Sequence, residues 1–301
     1  MVVAVGFAKV LAMKSWNLVF LSAISLALLN SCVTGRIASP RFVLEPAVRE
    51  QCVKILNSGL KGDEFWPSIH AAEGLTIGGH GAEVQAYLEP KLSSVKDDQQ
   101  RCGIARELVR AGDRSKAQVM LDILAGDDPH GHTHAAESLY KVNIIGDGVW
   151  MRRRFEESDN ITLRLMAAAA LAKKGNRKAM RFLRESMTSD DEGTYRIAAW
   201  ILGRIGGKRD AELLRARLGE SDDPVVDAYL NNSLAALGDP AGLAALKANL
   251  SSSDPALRTY AATFAGDARA IWLAPHLQQL LSDPHPDARY RAAQSLLDLE
   301  R

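Results

Sequence analysis

The chain has 301 residues, 47% of them hydrophobic and 6% aromatic, with Lys plus Arg 37 against Asp plus Glu 36. That length and apolar content suffice for a substantial core. A net charge of +1 excludes a general nucleic-acid binder, whose affinity rests on a basic excess that neutralises phosphates, and three cysteines exclude a disulfide framework.

The chain opens with an address. Lys9 and Lys14 are the only charges before Arg36, and the apolar run Trp16–Leu29 falls short of the roughly 20 residues a bilayer span needs. It ends in Leu29–Asn30–Ser31–Cys32, which resembles the bacterial lipobox. The resemblance implies cleavage before Cys32, lipidation of that cysteine and a mature protein outside the cytoplasm. With Val33 following, the outer membrane is preferred to the inner. The expected organisation is a signal peptide at 1–31, a lipidated Cys and tether at 32–47, and one domain from 48 to 301.

From residue 70 the chain repeats itself. HAAEGL (70–75), GIAREL (103–108), HAAESL (134–139), MAAAAL (166–171), IAAWIL (197–202), YLNNSL (229–234), YAATFA (260–265) and RAAQSL (291–296) end on anchor residues 31 to 33 positions apart. Second amphipathic helices are predicted between them at 82–92, 116–124, 177–187, 211–218, 243–250 and 271–281. Asp128–Pro129, Asp223–Pro224, Asp254–Pro255 and Asp283–Pro284 read as helix starts, with aspartate capping and proline at the first helical position. Gly112, Gly175, Gly206, Gly238 and Gly266 read as helix ends. One helix pair per repeat, with no strand pattern, gives an all-α fold.

These units resemble HEAT repeats, more narrowly the short bacterial subclass associated with phycobilin lyases. Its run of Asp-Pro, Arg and Ala-Ala-x-x-Leu is seen around Asp254, Arg258, Asp283 and Arg289. The resemblance implies a right-handed α-solenoid of about eight two-helix repeats over 48–301, and a protein-binding role.

Counted back from the anchors, the alanines three and four before them read as the seam between neighbouring repeats. Arg101, His132, Arg164, Arg258 and Arg289, seven before, read as a ladder against loop aspartates. The positions five before, two before and two after share one helical face. By the resemblance this second helix lines the concave surface. That makes His70, Glu73, Arg106, His134, Glu137, Trp200, Tyr229, Asn232, Tyr260 and Arg291 the candidate binding face, its aromatic, arginine and amide groups suited to a protein segment.

His-x-x-Glu recurs at His70/Glu73 and His134/Glu137, and His130, His132 and His134 alternate. Imidazole and carboxylate one turn apart can hold a metal ion. HEAT enzymes of the deoxyhypusine hydroxylase type use His-Glu pairs in both halves of the array; here the spacing differs and His276 and His285 have no matching Glu. Cys52 and Cys102 read as small buried residues. The expectation is a non-enzymatic scaffold without cofactor, membrane-tethered in the envelope and binding an unidentified envelope protein. The competing readings are a His/Glu metal enzyme and a structural subunit of an envelope complex.

Overall fold

The structure, a computed structural model, describes residues 42–301. The lipobox and Cys32 lie outside those residues. Sixteen α-helices follow as eight pairs: α1 (Pro46–Leu60) with α2 (Phe65–Ile77), α3 (Gly81–Ser94) with α4 (Asp98–Arg110), α5 (Ala117–Ala125) with α6 (His132–Lys141), and α7 (Val149–Glu157) with α8 (Ile161–Lys173). They continue as α9 (Arg177–Glu185) with α10 (Glu192–Ile205), α11 (Lys208–Arg215) with α12 (Pro224–Ala236), α13 (Pro240–Asn249) with α14 (Pro255–Asp267), and α15 (Ala274–Leu280) with α16 (Pro286–Leu299). The described residues contain no strand. The fold is an all-α solenoid, and none of the described helices is long and apolar enough to cross a membrane.

The helix starts follow capping chemistry. Asp97, Asn160, Asn176, Asp191, Asp223, Asp239 and Asp254 each accept a hydrogen bond from a backbone N–H in the first turn of their helices. Two expected starts shift. Asp128–Pro129 opens a 3-10 turn before α6, and Asp283 accepts from the His285 N–H while α16 begins at Pro286. Gly112, Gly175 and Gly238 have positive φ, as a left-handed exit requires. Gly206 leaves α10 extended instead, and Gly266 stays inside α14. There a Cβ would come within 2.8 Å of Ser295 Oγ, so the close approach of α14 and α16 explains that glycine. The left-handed position falls to Arg269.

Packing follows the register. Ala71, Ala135, Ala167, Ala198 and Ala292 are fully buried, letting α2, α6, α8, α10 and α16 sit close to their neighbours. Every anchor from Leu75 to Leu296 is buried as well, each leucine contributing roughly 1.5–3 kcal/mol. The arginine ladder is mostly a ladder to carbonyls. Arg258 alone of the five reaches the next repeat's aspartate, gripping Asp283 at 2.6 and 3.0 Å. Arg164 donates to Phe155 O and Arg289 to Asp283 O, Arg101 pairs with Asp98 in its own turn, and the His132 ring meets Gly126 O. A second ladder runs from the outer helices, with Arg184 on Asp210 and Arg215 on Asp239.

The helical domain begins before residue 48, because Leu44 is buried at 3% exposure and Pro46 already opens α1. Leu44 N and Arg49 Nη1 both donate to Glu300 (3.0 and 2.7 Å), tying the first helix to the end of α16. The last repeated helix packs on the first: α16 lies against α2, and a Cβ on Gly59 of α1 would meet the Tyr290 ring at 2.7 Å. The eight repeated helices therefore close on themselves, and the concave face becomes a central chamber that stays open to solvent.

Candidate functional site: the central chamber

The chamber has a volume of about 700 Å³, and all eight repeated helices contribute to its wall. It is layered by register. At five before the anchor stand His70, Met166, Ile197, Tyr229, Tyr260 and Arg291, and at two before stand Glu73, Glu137, Trp200, Thr263 and Gln294. Of the ten residues expected on the binding face, seven line this chamber: His70, Glu73, Glu137, Trp200, Tyr229, Tyr260 and Arg291.

Arg106, His134 and Asn232 do not. Arg106 is buried and donates through Nε to Glu107 at 2.6 Å. Asn232 is 0% exposed with neither amide atom hydrogen-bonded. His134 is covered by Trp66, the two rings lying 5.2 Å apart and inclined by 22°. Trp66 fits there because Gly103 replaces the large side chain that this register carries elsewhere; a Cβ on Gly103 would meet the indole at 3.2 Å. The missing side chain at Gly103 was the available signal for Trp66, which the repeat pattern by itself did not supply.

The larger omission is the position two after the anchor. It reads Arg110, Lys141, Lys173 and Arg204 on four successive repeats, then Asp267 and Asp298, and all six line the chamber. The signal was in the register and needed only to be written out. Two contacts across the chamber join helices that are not neighbours in the array, Arg204 with Asp267 and Tyr140 with Trp200. Arg204 pairs with Asp267 while its guanidinium lies 4.3 Å from the Trp200 ring and 4.4 Å from the Phe264 ring. Tyr140 meets Trp200 edge-on at 5.9 Å, and Tyr229 meets Tyr260 at 4.6 Å.

Ion pairs fix the protonation of the wall. Burial works to raise the Glu73 carboxyl, but Arg110 at 2.8 Å and Arg291 at 3.1 Å hold it well below its ordinary range. Burial likewise opposes ionisation of Glu137, yet Lys141 and Arg106 bring it down to about 2. Asp267 goes the other way: burial raises it despite Arg204. Burial, with Tyr260 beside it, pushes the Tyr229 phenol up, and burial takes Tyr140 to about 12. The wall is thus charged, with protonated phenols among the charges.

The histidines are dispersed. His130 Nε2 lies 2.8 Å from Asp97 on the outside, His132 Nε2 lies 2.9 Å from Gly126 O, and His134 stacks on Trp66. The set His70, Glu73, His134 and Glu137 does not converge either, since His70 binds Asp287 at 2.8 Å and both glutamates hold cations. Among the described residues no group of three or more His, Cys, Asp or Glu side chains is placed to hold a metal ion. On α7, Met151 is buried and Arg154 donates to Leu124 O and Gly126 O, closing α5.

Residues 151–231, from α7 into α12, match the family described as HEAT repeats. No curated protein matches the chain. Among solved structures it is similar to human deoxyhypusine hydroxylase in complex with glycerol, at 17% identity and a TM-score of 0.40, covering 84% of this chain and 98% of that one. It is also similar to an engineered protein, at 16% identity and a TM-score of 0.31, covering 82% and 96%. Neither likeness bears on activity. The match supports a HEAT-like repeat protein, its two-helix unit recurring along the described residues.

Proposed function

We propose that the protein is a non-enzymatic binding scaffold that receives a narrow segment of a partner protein in its central chamber, while a lipidated Cys32 tethers it in the cell envelope. The observation that carries this reading is the layered central chamber itself. At about 700 Å³ it falls within the roughly 300–1,000 Å³ of ligand sites. A folded domain does not fit, so a partner enters as an extended segment. Aromatic groups and arginines on one wall are the residue types that dominate recognition energy. A binding role is further supported by the wall's carboxylates, each held in a pair that shapes the surface. The tether rests on Leu29–Asn30–Ser31–Cys32.

A photo-crosslinking amino acid placed at Met166 or Tyr260, on the chamber wall, is expected to capture a partner in intact cells. The same group at Val149 or Trp272, both exposed large hydrophobics, is not. Equal capture from outside, or none from inside, would overturn the reading. For the tether, Cys32→Ser is expected to release the protein from the membrane fraction.

A further inference from the structure

The charge on the chamber wall does not balance locally. Its carboxylates are all engaged: Glu73 by Arg110 and Arg291, Glu137 by Lys141, Asp267 by Arg204, Asp287 by His70, and Asp298 by Arg269 at 3.7 Å. Two cations on the same wall form no ion pair within 4.0 Å with a carboxylate among the described residues, Asp191 acting on Arg196 only at longer range. Lys173 of α8 donates to the Tyr140 carbonyl at 3.4 Å and sits 5.1 Å from that ring. Arg196 of α10 lies 5.4 Å from the Tyr229 ring. The surroundings of Lys173 disfavour its charge, first through burial and then through Lys174 and Arg110, two further cations.

Lys173 and Arg196 stand on adjacent repeated helices, two after and six before their anchors. Eight register positions at 1.5 Å each separate them by about 12 Å along the helix axes. Met166, Ile197 and Trp200 line the wall at the register layers between them. The strip is therefore cation, apolar surface, cation. An extended chain presents alternate side chains on one face, with residues i and i+4 about 13 Å apart. An acid at i, an apolar side chain at i+2 and an acid at i+4 match the strip in order and charge; with about 8–10 Å between the helix axes the two backbone positions lie about 15 Å apart, a difference the long Lys173 and Arg196 side chains can span.

We infer that the segment received by the chamber is an extended acidic peptide of the pattern acid-x-apolar-x-acid, its two carboxylates on Lys173 and Arg196. This rests on the binding reading above and names the chemistry of the ligand.

The test uses the purified full chain and two peptides, acetyl-Asp-Ser-Leu-Ser-Asp-amide and the same peptide with Asn for both Asp, in isothermal titration calorimetry at low and high salt. The acidic peptide is expected to bind at least tenfold more tightly than the Asn peptide, and salt is expected to weaken it selectively. Lys173→Met and Arg196→Met should each weaken the acidic peptide about tenfold and leave the Asn peptide unchanged. Lys173→Arg should retain binding, which separates lost charge from lost folding. If both peptides bind equally and Trp200→Ala weakens both, the chamber binds peptide and the acidic inference falls alone. If neither peptide binds while crosslinks still form from Met166 or Tyr260, the acidic inference again falls alone. Absence of both signals overturns both readings.

Discussion

His70 Nδ1 lies 2.8 Å from Asp287 Oδ1, joining residues 217 positions apart in sequence. One turn further along each helix, Arg291 Nη1 reaches Glu73 at 3.1 Å. These two contacts pin α16 to α2. They are what turns a row of repeats into a closed wall, with Arg49 and Glu300 clasping the same seam from the outside.

The seam should weaken in acid. Burial and then Arg291 hold the His70 imidazole below its ordinary 6.5, against the pull of Asp287. The unfolded chain therefore takes up that proton first, and stability falls as pH drops through about 6.5. Burial works to raise the Asp287 carboxyl, yet the His70 bond holds it below 3.8, so its contribution is present above that value and lost beneath it. Both groups act in one direction. Protection factors in α2 and α16, taken relative to intrinsic exchange at each pH, are expected to fall between pH 7.5 and about 4.5 more than those in α8 and α10; an equal change would remove the pair from this role.

Gly203 marks a close approach of α10 to α12. A Cβ there would stand 2.9 Å from the Ser233 Cα and 2.8 Å from its Cβ, and backbone cannot rotate away. Gly203→Ala is expected to cost about 1–3 kcal/mol through overpacking despite its better helix propensity. Urea titration measures it, and a stability at or above wild type would contradict the contact.

Arg204 holds Asp267 and stacks on Trp200 and Phe264. Arg204→Ala removes all three contacts and leaves a carboxyl that burial already raises without its partner. A loss of about 1–3 kcal/mol is expected, together with a changed Trp200 emission. Arg204→Lys should restore the charge but only part of the stacking. An unchanged melting temperature in the alanine variant would show that the pair contributes nothing.

Cys52 and Cys102 are free and buried, and burial pushes both thiols up to about 12. Since the thiolate is the reactive form, neither should be alkylated by iodoacetamide at pH 8 in the native fold, and both should be in urea. Labelling of either under native conditions would place it at the surface.

Much of this molecule was legible in the chain. The anchor spacing fixed eight repeats, the buried alanines were readable as packing, and two aspartate caps, Asp223 and Asp254, lie where Asp-Pro pairs announced them. Seven of ten expected face residues reach the chamber, because register alone decides which way a helical side chain points. The three failures share a cause. Arg106, His134 and Asn232 point inward by register, but Glu107 and Trp66 occupy Arg106 and His134, and Asn232 is sealed within the helix packing. Local periodicity carries no information about such neighbours.

By itself the sequence determined the repeat and its inward face, since these follow from helical period and residue size within one repeat of about 31 residues. Only the tertiary structure decided that the array closes. A small rotation per repeat, summed over eight helix pairs, brings Asp287 back to His70. That sum, which no single repeat encodes visibly, makes the concave face a chamber and leaves Lys173 and Arg196 as the cations on its wall without an ion-paired acid.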